Sequence, residues 1–197
     1  MARTKKTASL GSGIAYVVEY TMDKMPGAAE LVALAVDGNK AGETKGGATF
    51  TYTTNTHKEQ DDHGTVVRII TLDEEAKLRL GLFTWEPEML TKLSATGRVV
   101  EDGEYAVIKL GGLQNDKGKR YIVIFKQIDP ELGDLYVALV GTNTAGITIA
   151  FSRDATSKLE PEFTALQHDD EGTLAIMFEA LPKTAASTTQ TTGEQSA

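Results

Sequence analysis

Cysteine is absent from the 197 residues. That removes a disulfide framework, a thiolate nucleophile and any zinc cluster built on sulfur. Long apolar runs are missing too: no window approaches the roughly 18 continuous apolar residues of a membrane span. The opening "MARTKKTASLGSG" carries Arg3, Lys5 and Lys6 but has no apolar stretch behind it long enough for a signal peptide. These absences lead to the expectation of a soluble chain that folds in a reducing cytoplasm and is not exported by the usual route. A basic excess is lacking as well, with 28 acids against 20 bases and a net charge of −8. Broad, sequence-independent binding to nucleic acid needs a basic face to displace counterions, so the balance argues against it.

What the chain does have is alternation with period two. "AKLRLGLF" places Leu78, Leu80 and Leu82 on one side and Lys77, Arg79, Gly81 and Phe83 on the other. "VVRII", "RYIVIFK" and "DLYVALV" are rich in β-branched and aromatic residues, as strands buried on at least one side should be. "GITIAF" reads as a further strand, with Ile147, Ile149 and Phe151 on one face. The period changes clearly once, in "TWEPEMLTKLSATG", where Trp85, Met89, Leu90 and Leu93 fall at helical spacing, Pro87 suits a first turn and Gly97 suits a stop. "PGAAELVALAV" is a weaker helical candidate that fits a strand equally well. The polar stretch from Asp37 to Gly64 holds a short strand, "ATFTYTT", and then "NTHKEQDDHG". It reads as a long hairpin whose charged ten-residue tip leaves the body.

The expected organisation is a mobile arm over residues 1–13, one β domain over 14–181 and a flexible polar tail over 182–197. The terminal segments lack the large apolar side chains that would offset their ordering entropy. Near the carboxy end, "PEFTALQHDDEGTLAIMFEA" reads as a hairpin. Its connection would be the solvated His168-Asp169-Asp170-Glu171, with Leu174, Ile176 and Phe178 directed against Phe163 and Ala165.

Chemical motifs are weak. "GSG" at residues 11–13 lacks a preceding strand and a third glycine, so it does not make a dinucleotide site. "GGLQNDKGKR" has the wrong glycine spacing for a phosphate loop, puts Arg120 where a magnesium-binding hydroxyl belongs, and reads as a turn. His57 and His63 bracket Asp61 and Asp62, and imidazole with carboxylate suits divalent transition ions, but no spacing matches a known ligand pattern. Asp169 and Asp170 share one exposed turn, without the difference in environment that separates a catalytic acid from its base. The expectation is no metal, no cofactor and no catalysis.

Several segments taken in order resemble the major tail proteins, or tail tube proteins, of long-tailed phages and prophages of Gram-positive bacteria. They are "LGSGIAYVVEY", "KGGATFTYTT", "DDHGTV", "LRLGLFTWEPEMLTKLSAT", "IKLGG", "KRYIVIFKQIDPELGDLYVALVGTNTAGITIAF" and "EFTALQHDDEGTLAIMFEA". The chain departs from that family in His57, His63 and its polar carboxy-terminal tail. The resemblance implies a mainly β, sandwich or barrel-like fold with one flanking helix and a long hairpin. It implies hexameric rings stacked into a hollow virion tube, assembled in the bacterial cytoplasm. The partners it implies are further copies of the chain, a tape-measure protein, tail terminator and distal tail proteins, and DNA passing through the lumen without sequence-specific binding. The subunit and ring interfaces would then draw on Leu10, Gly11 and Gly13 in the arm, on Lys45, Gly46 and Gly47 entering the hairpin, and on Asp61, Asp62 and Gly64 at its far side. The rival readings are a monomeric β-sandwich module binding carbohydrate or protein and, third, a metal-dependent hydrolase built on the His and Asp loops.

Overall fold

The computed structural model describes residues 13–22, 24–60, 62–64, 66–129, 133–149 and 157–180. Nine strands and two α-helices follow in the order β1 (Gly13–Glu19), α1 (Ala28–Leu34), β2 (Lys40–Gln60), β3 (Val66–Leu82), α2 (Met89–Leu93), β4 (Arg98–Asp102), β5 (Tyr105–Lys109), β6 (Tyr121–Gln127), β7 (Leu135–Asn143), β8 (Glu162–Ala165) and β9 (Ala175–Glu179). Every pairing is antiparallel. Strand β1 lies between β2 and β6, β2 pairs with β3, β3 with β8, β8 with β7, and β7 returns to β6. The ring is closed, which satisfies the edges that an open sheet would leave bare. Strands β4 and β5 form a separate hairpin.

Alternation explains which side chains fill the barrel. Ala15 and Val17 of β1, Leu78, Leu80 and Leu82 of β3, Tyr121, Val123 and Phe125 of β6, and Val137 and Leu139 of β7 point into one cluster with Phe163. Met89 and Leu93, one helical turn apart on α2, close that cluster. The opposite faces of β1, β6 and β7 carry Tyr16, Ile122, Ile124, Tyr136, Ala138 and Val140, which pack beneath Leu31 of α1. Burial on both faces is why "YIVIF" and "LYVALV" read as unbroken apolar runs.

The ambiguous "PGAAELVALAV" is therefore a second helix. The Glu30 carboxylate accepts the Gly27 N–H at 2.9 Å at its start, and Leu31 anchors it to the barrel. Two expected elements after β7 differ. "GITIAF" forms no ladder among the described residues: Ile149 makes a single bridge to Leu159, and Ala150 and Phe151 lie outside them. The last hairpin is not a hairpin. Strands β8 and β9 each pair with β7, at Gly141–Asn143 and Leu135–Leu139 respectively, and lie end to end along one edge. Phe163 thus sits inside the barrel, whereas Ile176 and Phe178 join the outer cluster, Phe178 stacking on Tyr136 at 4.9 Å.

Candidate assembly interface

Strands β2 and β3 pair from Thr44–Leu82 out to Gln60–Val66, far beyond the barrel wall. Sequence reasoning placed a ten-residue loop where the structure has strand up to Gln60. Polar side chains by themselves suggest a loop, but Thr-rich strands pair well when their neighbours cooperate. Thr56 lies opposite Thr71, and Glu59 opposite Arg68, a charge-complementary cross-strand pair. Every side chain from Thr51 to Gln60 is exposed, as are Arg68, Ile69 and Thr71–Glu75 on the facing strand. The result is an arm extending about 30 Å at ~3.3 Å per residue, wetted on both faces.

The root of this arm is a bulge. Between the pairs Thr44–Leu82 and Ala48–Leu80, β2 inserts extra residues, Lys45, Gly46 and Gly47 among them. Gly46 and Gly47 adopt φ of 91° and 76°, which a residue with a Cβ takes up only under strain. Lys45 lays its ammonium 5.8 Å from the centre of the Phe83 ring. A bulge bends and twists its strand, so these residues set the direction in which the arm leaves the barrel. Asp62 and Gly64 occupy the turn at the other end, Gly64 with φ of 81°. The residues expected at the hairpin therefore do not converge; they mark the two ends of one lever.

The amino-terminal set fares differently. Leu10, Gly11 and Asp61 lie outside the described residues. Gly13 opens β1 and is buried, donating its N–H to Thr44 Oγ1 at 3.1 Å while its carbonyl accepts from the same hydroxyl at 2.9 Å. A Cβ there would collide with the Phe125 ring and stand 2.7 Å from the Lys126 carbonyl oxygen. Gly13 belongs to the barrel wall, not to an arm.

Two strand edges near the arm carry no partner among the described residues: β9 pairs only with β7, and the outer part of β3 only with β2. Between them opens a cleft of about 470 Å³ lined by Phe50, Tyr52, Glu74, Leu174 and Met177. The Tyr52 hydroxyl bonds to the Glu74 carboxylate, which raises the phenol above its ordinary 10.0. Unpaired edges beside exposed apolar side chains are templates for pairing with another chain.

His168, expected in a solvated turn, is buried. Its Nδ1 meets the Leu166 carbonyl at 3.2 Å, while Nε2 has no hydrogen-bond partner and stands 4.0 Å from Asp169 Oδ2. Asp169 is engaged elsewhere, accepting the Thr173 N–H at 2.7 Å. The side-chain and backbone bonds from Thr173 lower its pKa below 3.8. His57 is on the arm and His63 in its turn, so the histidines do not gather. Among the described residues, no group of three His, Asp or Glu side chains converges as metal ligands would. Among the same residues, no helix is long and apolar enough to cross a membrane.

Sequence reasoning missed a basic cleft. Lys92, Arg98, Lys117 and Lys119 line a cavity of about 450 Å³ that holds one carboxylate, Glu19. The "GGLQNDKGKR" stretch supplies two of these cations, but Lys92 and Arg98 come from α2 and β4, so no local pattern could reveal the cluster.

No protein-family model matches this chain, and none of the curated proteins matches it.

Proposed function

We propose that the chain is a self-assembling structural subunit, the tail tube protein of a long-tailed phage. Its copies form hexameric rings that stack into a hollow virion tube, assembled in the host cytoplasm. The tube encloses a tape-measure protein during assembly, is bounded by terminator and distal tail proteins, and later conducts DNA without reading its sequence. The observation that carries this reading is the arm. A closed barrel meets its own hydrogen-bonding needs, yet it projects a two-stranded extension that buries nothing and bears Ile69 and Leu72 at 60% and 62% exposure. An isolated two-stranded ribbon is marginal in water. Docking on a neighbour would offset the ordering of such an arm, and a repeating contact of that kind is open-ended unless it closes into a ring. The acidic balance also fits a conduit, since lumen-facing carboxylates repel phosphate within a Debye length of ~8–10 Å.

The test is direct. Purified protein is concentrated stepwise and followed by light scattering and negative-stain electron microscopy. Rings or tubes of uniform diameter are the expected result. Particles that stay single at every concentration, and also in the presence of the other tail proteins, would refute the reading. Specific retention of a monomer on a glycan array would replace it with a carbohydrate-binding module.

A further inference from the structure

The basic cleft is unusual in a chain of net charge −8. Its cations are incompletely neutralised. Lys119 pairs with Glu19 at 2.7 Å, but among the described residues Lys92 donates only to the Val17 carbonyl, at 3.2 Å, and Arg98 to the carbonyls of Gly111 at 3.0 Å and Thr96 at 3.4 Å. Lys117 makes no hydrogen bond or ion pair among the described residues. The nearby Asp116 is turned toward the Gly118 N–H, which it accepts at 2.8 Å. Two apolar side chains stand bare in this region: Val99 lines the cleft at 41% exposure, and Leu113, two residues before the lining Asn115, is 88% exposed.

The arm is the complement of this surface. Residues 51–75 hold six carboxylates against two cations, and Ile69 and Leu72 add exposed apolar surface. None of the arm's described side chains is buried on its own chain. We infer that the Lys92–Arg98–Lys117–Lys119 cleft receives the acidic β2–β3 arm of a second copy. Glu59 and Asp62 near the tip meet the cations, and Ile69 and Leu72 both cover apolar surface of the next copy, Val99 and Leu113 included. The contact is head-to-tail, arm of one copy into cleft of the next, so it propagates along a stack. Opposed charges of this kind set the register of docking and suppress wrong partners. The inference rests on the polymerising reading above and names the surface that the arm uses.

The absence of native cysteine allows a clean covalent test. The full chain carrying Asp62→Cys with Lys117→Cys is assembled, oxidised mildly and run on a non-reducing gel. A ladder of linked copies, absent from either single-cysteine variant, is expected. A second measurement uses charge. Glu59→Lys/Asp62→Lys on the arm, or Lys117→Glu/Lys119→Glu in the cleft, should each raise the critical concentration for assembly about tenfold, since each removed or reversed surface ion pair contributes up to about a factor of several. Combining all four changes in one chain should restore assembly, which a merely damaged fold would not do. Wild-type tubes without a ladder, or unaffected by the charge changes, overturn the cleft assignment and leave the tube reading standing. A wild-type chain that never assembles brings both down. DNA binding abolished by Lys117→Glu with assembly unchanged would give the cleft to phosphate instead.

Discussion

Replacing Ile69 and Leu72 by serine should leave the monomer folded and cripple its assembly. These side chains are 60% and 62% exposed on the arm, so the barrel gains little from them. Full burial of an Ile or Leu is worth about 1.5–3 kcal/mol. The fraction still wet can therefore contribute about 1–2 kcal/mol each on docking, or roughly 2–4 kcal/mol for the pair per copy. At ~1.4 kcal/mol per factor of ten, the critical concentration should rise from about thirtyfold to several hundredfold. It is read by pelleting assembled protein across a dilution series, while a thermal melt of dilute monomer reports the fold. The melting temperature should stay within about 2 °C, since surface changes away from packed features usually fall within about 0.5 kcal/mol. The reasoning fails if the double variant assembles at the wild-type concentration. It fails equally if the monomer melts many degrees lower, because the side chains would then be holding the body together.

Removing the arm is the coarser perturbation. Thr53 faces Glu75 across the ladder, so a short Asn-Gly or Gly-Ser turn replacing residues 54–74 should yield a monomer with native circular dichroism that forms no tubes. Normal tubes from that variant would remove the arm from assembly. Gly141→Ala should lower stability by about 1–3 kcal/mol, the usual cost of forced overpacking: a Cβ there overlaps the Thr164 carbonyl oxygen and lies 2.8 Å from its carbon. An unchanged melting temperature would contradict the close β7–β8 approach. Asp169 has a folded pKa lowered by its Thr173 bonds. Its contribution is therefore present above the unfolded carboxyl's pKa and lost as pH falls through the folded value. Asp169→Ala should melt below wild type at pH 7, with the gap closing only once the pH has fallen below the ordinary carboxyl value of 3.8 and through the lowered folded one. A gap that stays constant into acid would refute this.

Much of the fold was legible because strand character is local. Leu78, Leu80 and Leu82 face inward as their alternation requires, and Met89 and Leu93 face inward because one helical turn separates them. That a hairpin leaves the body between Asp37 and Gly64 was legible too; that Gly46 and Gly47 form a bulge at its root was not. The arm's length was not. Its side chains are wet on both faces, and a strand without a buried face leaves no periodic signal.

The residues alone determined the strand character of β1, β3, β6 and β7, the inward face of β3, the helical turn at Met89–Leu93 and the turn that holds the carboxylates at 169–171. Only the tertiary structure decided which edges meet. Strand β7 offers one edge to both β8 and β9, so Phe163 and Phe178 end on opposite sides of the wall although only residues 166–174 separate their strands. Likewise, Lys92, Arg98, Lys117 and Lys119 become a single cleft only after the chain has closed on itself. The physical reason is the same in both cases. Side-chain periodicity is written over a few neighbouring residues, whereas the partner of a strand edge, and the field felt by a charge, are set by atoms that the fold brings from far along the chain.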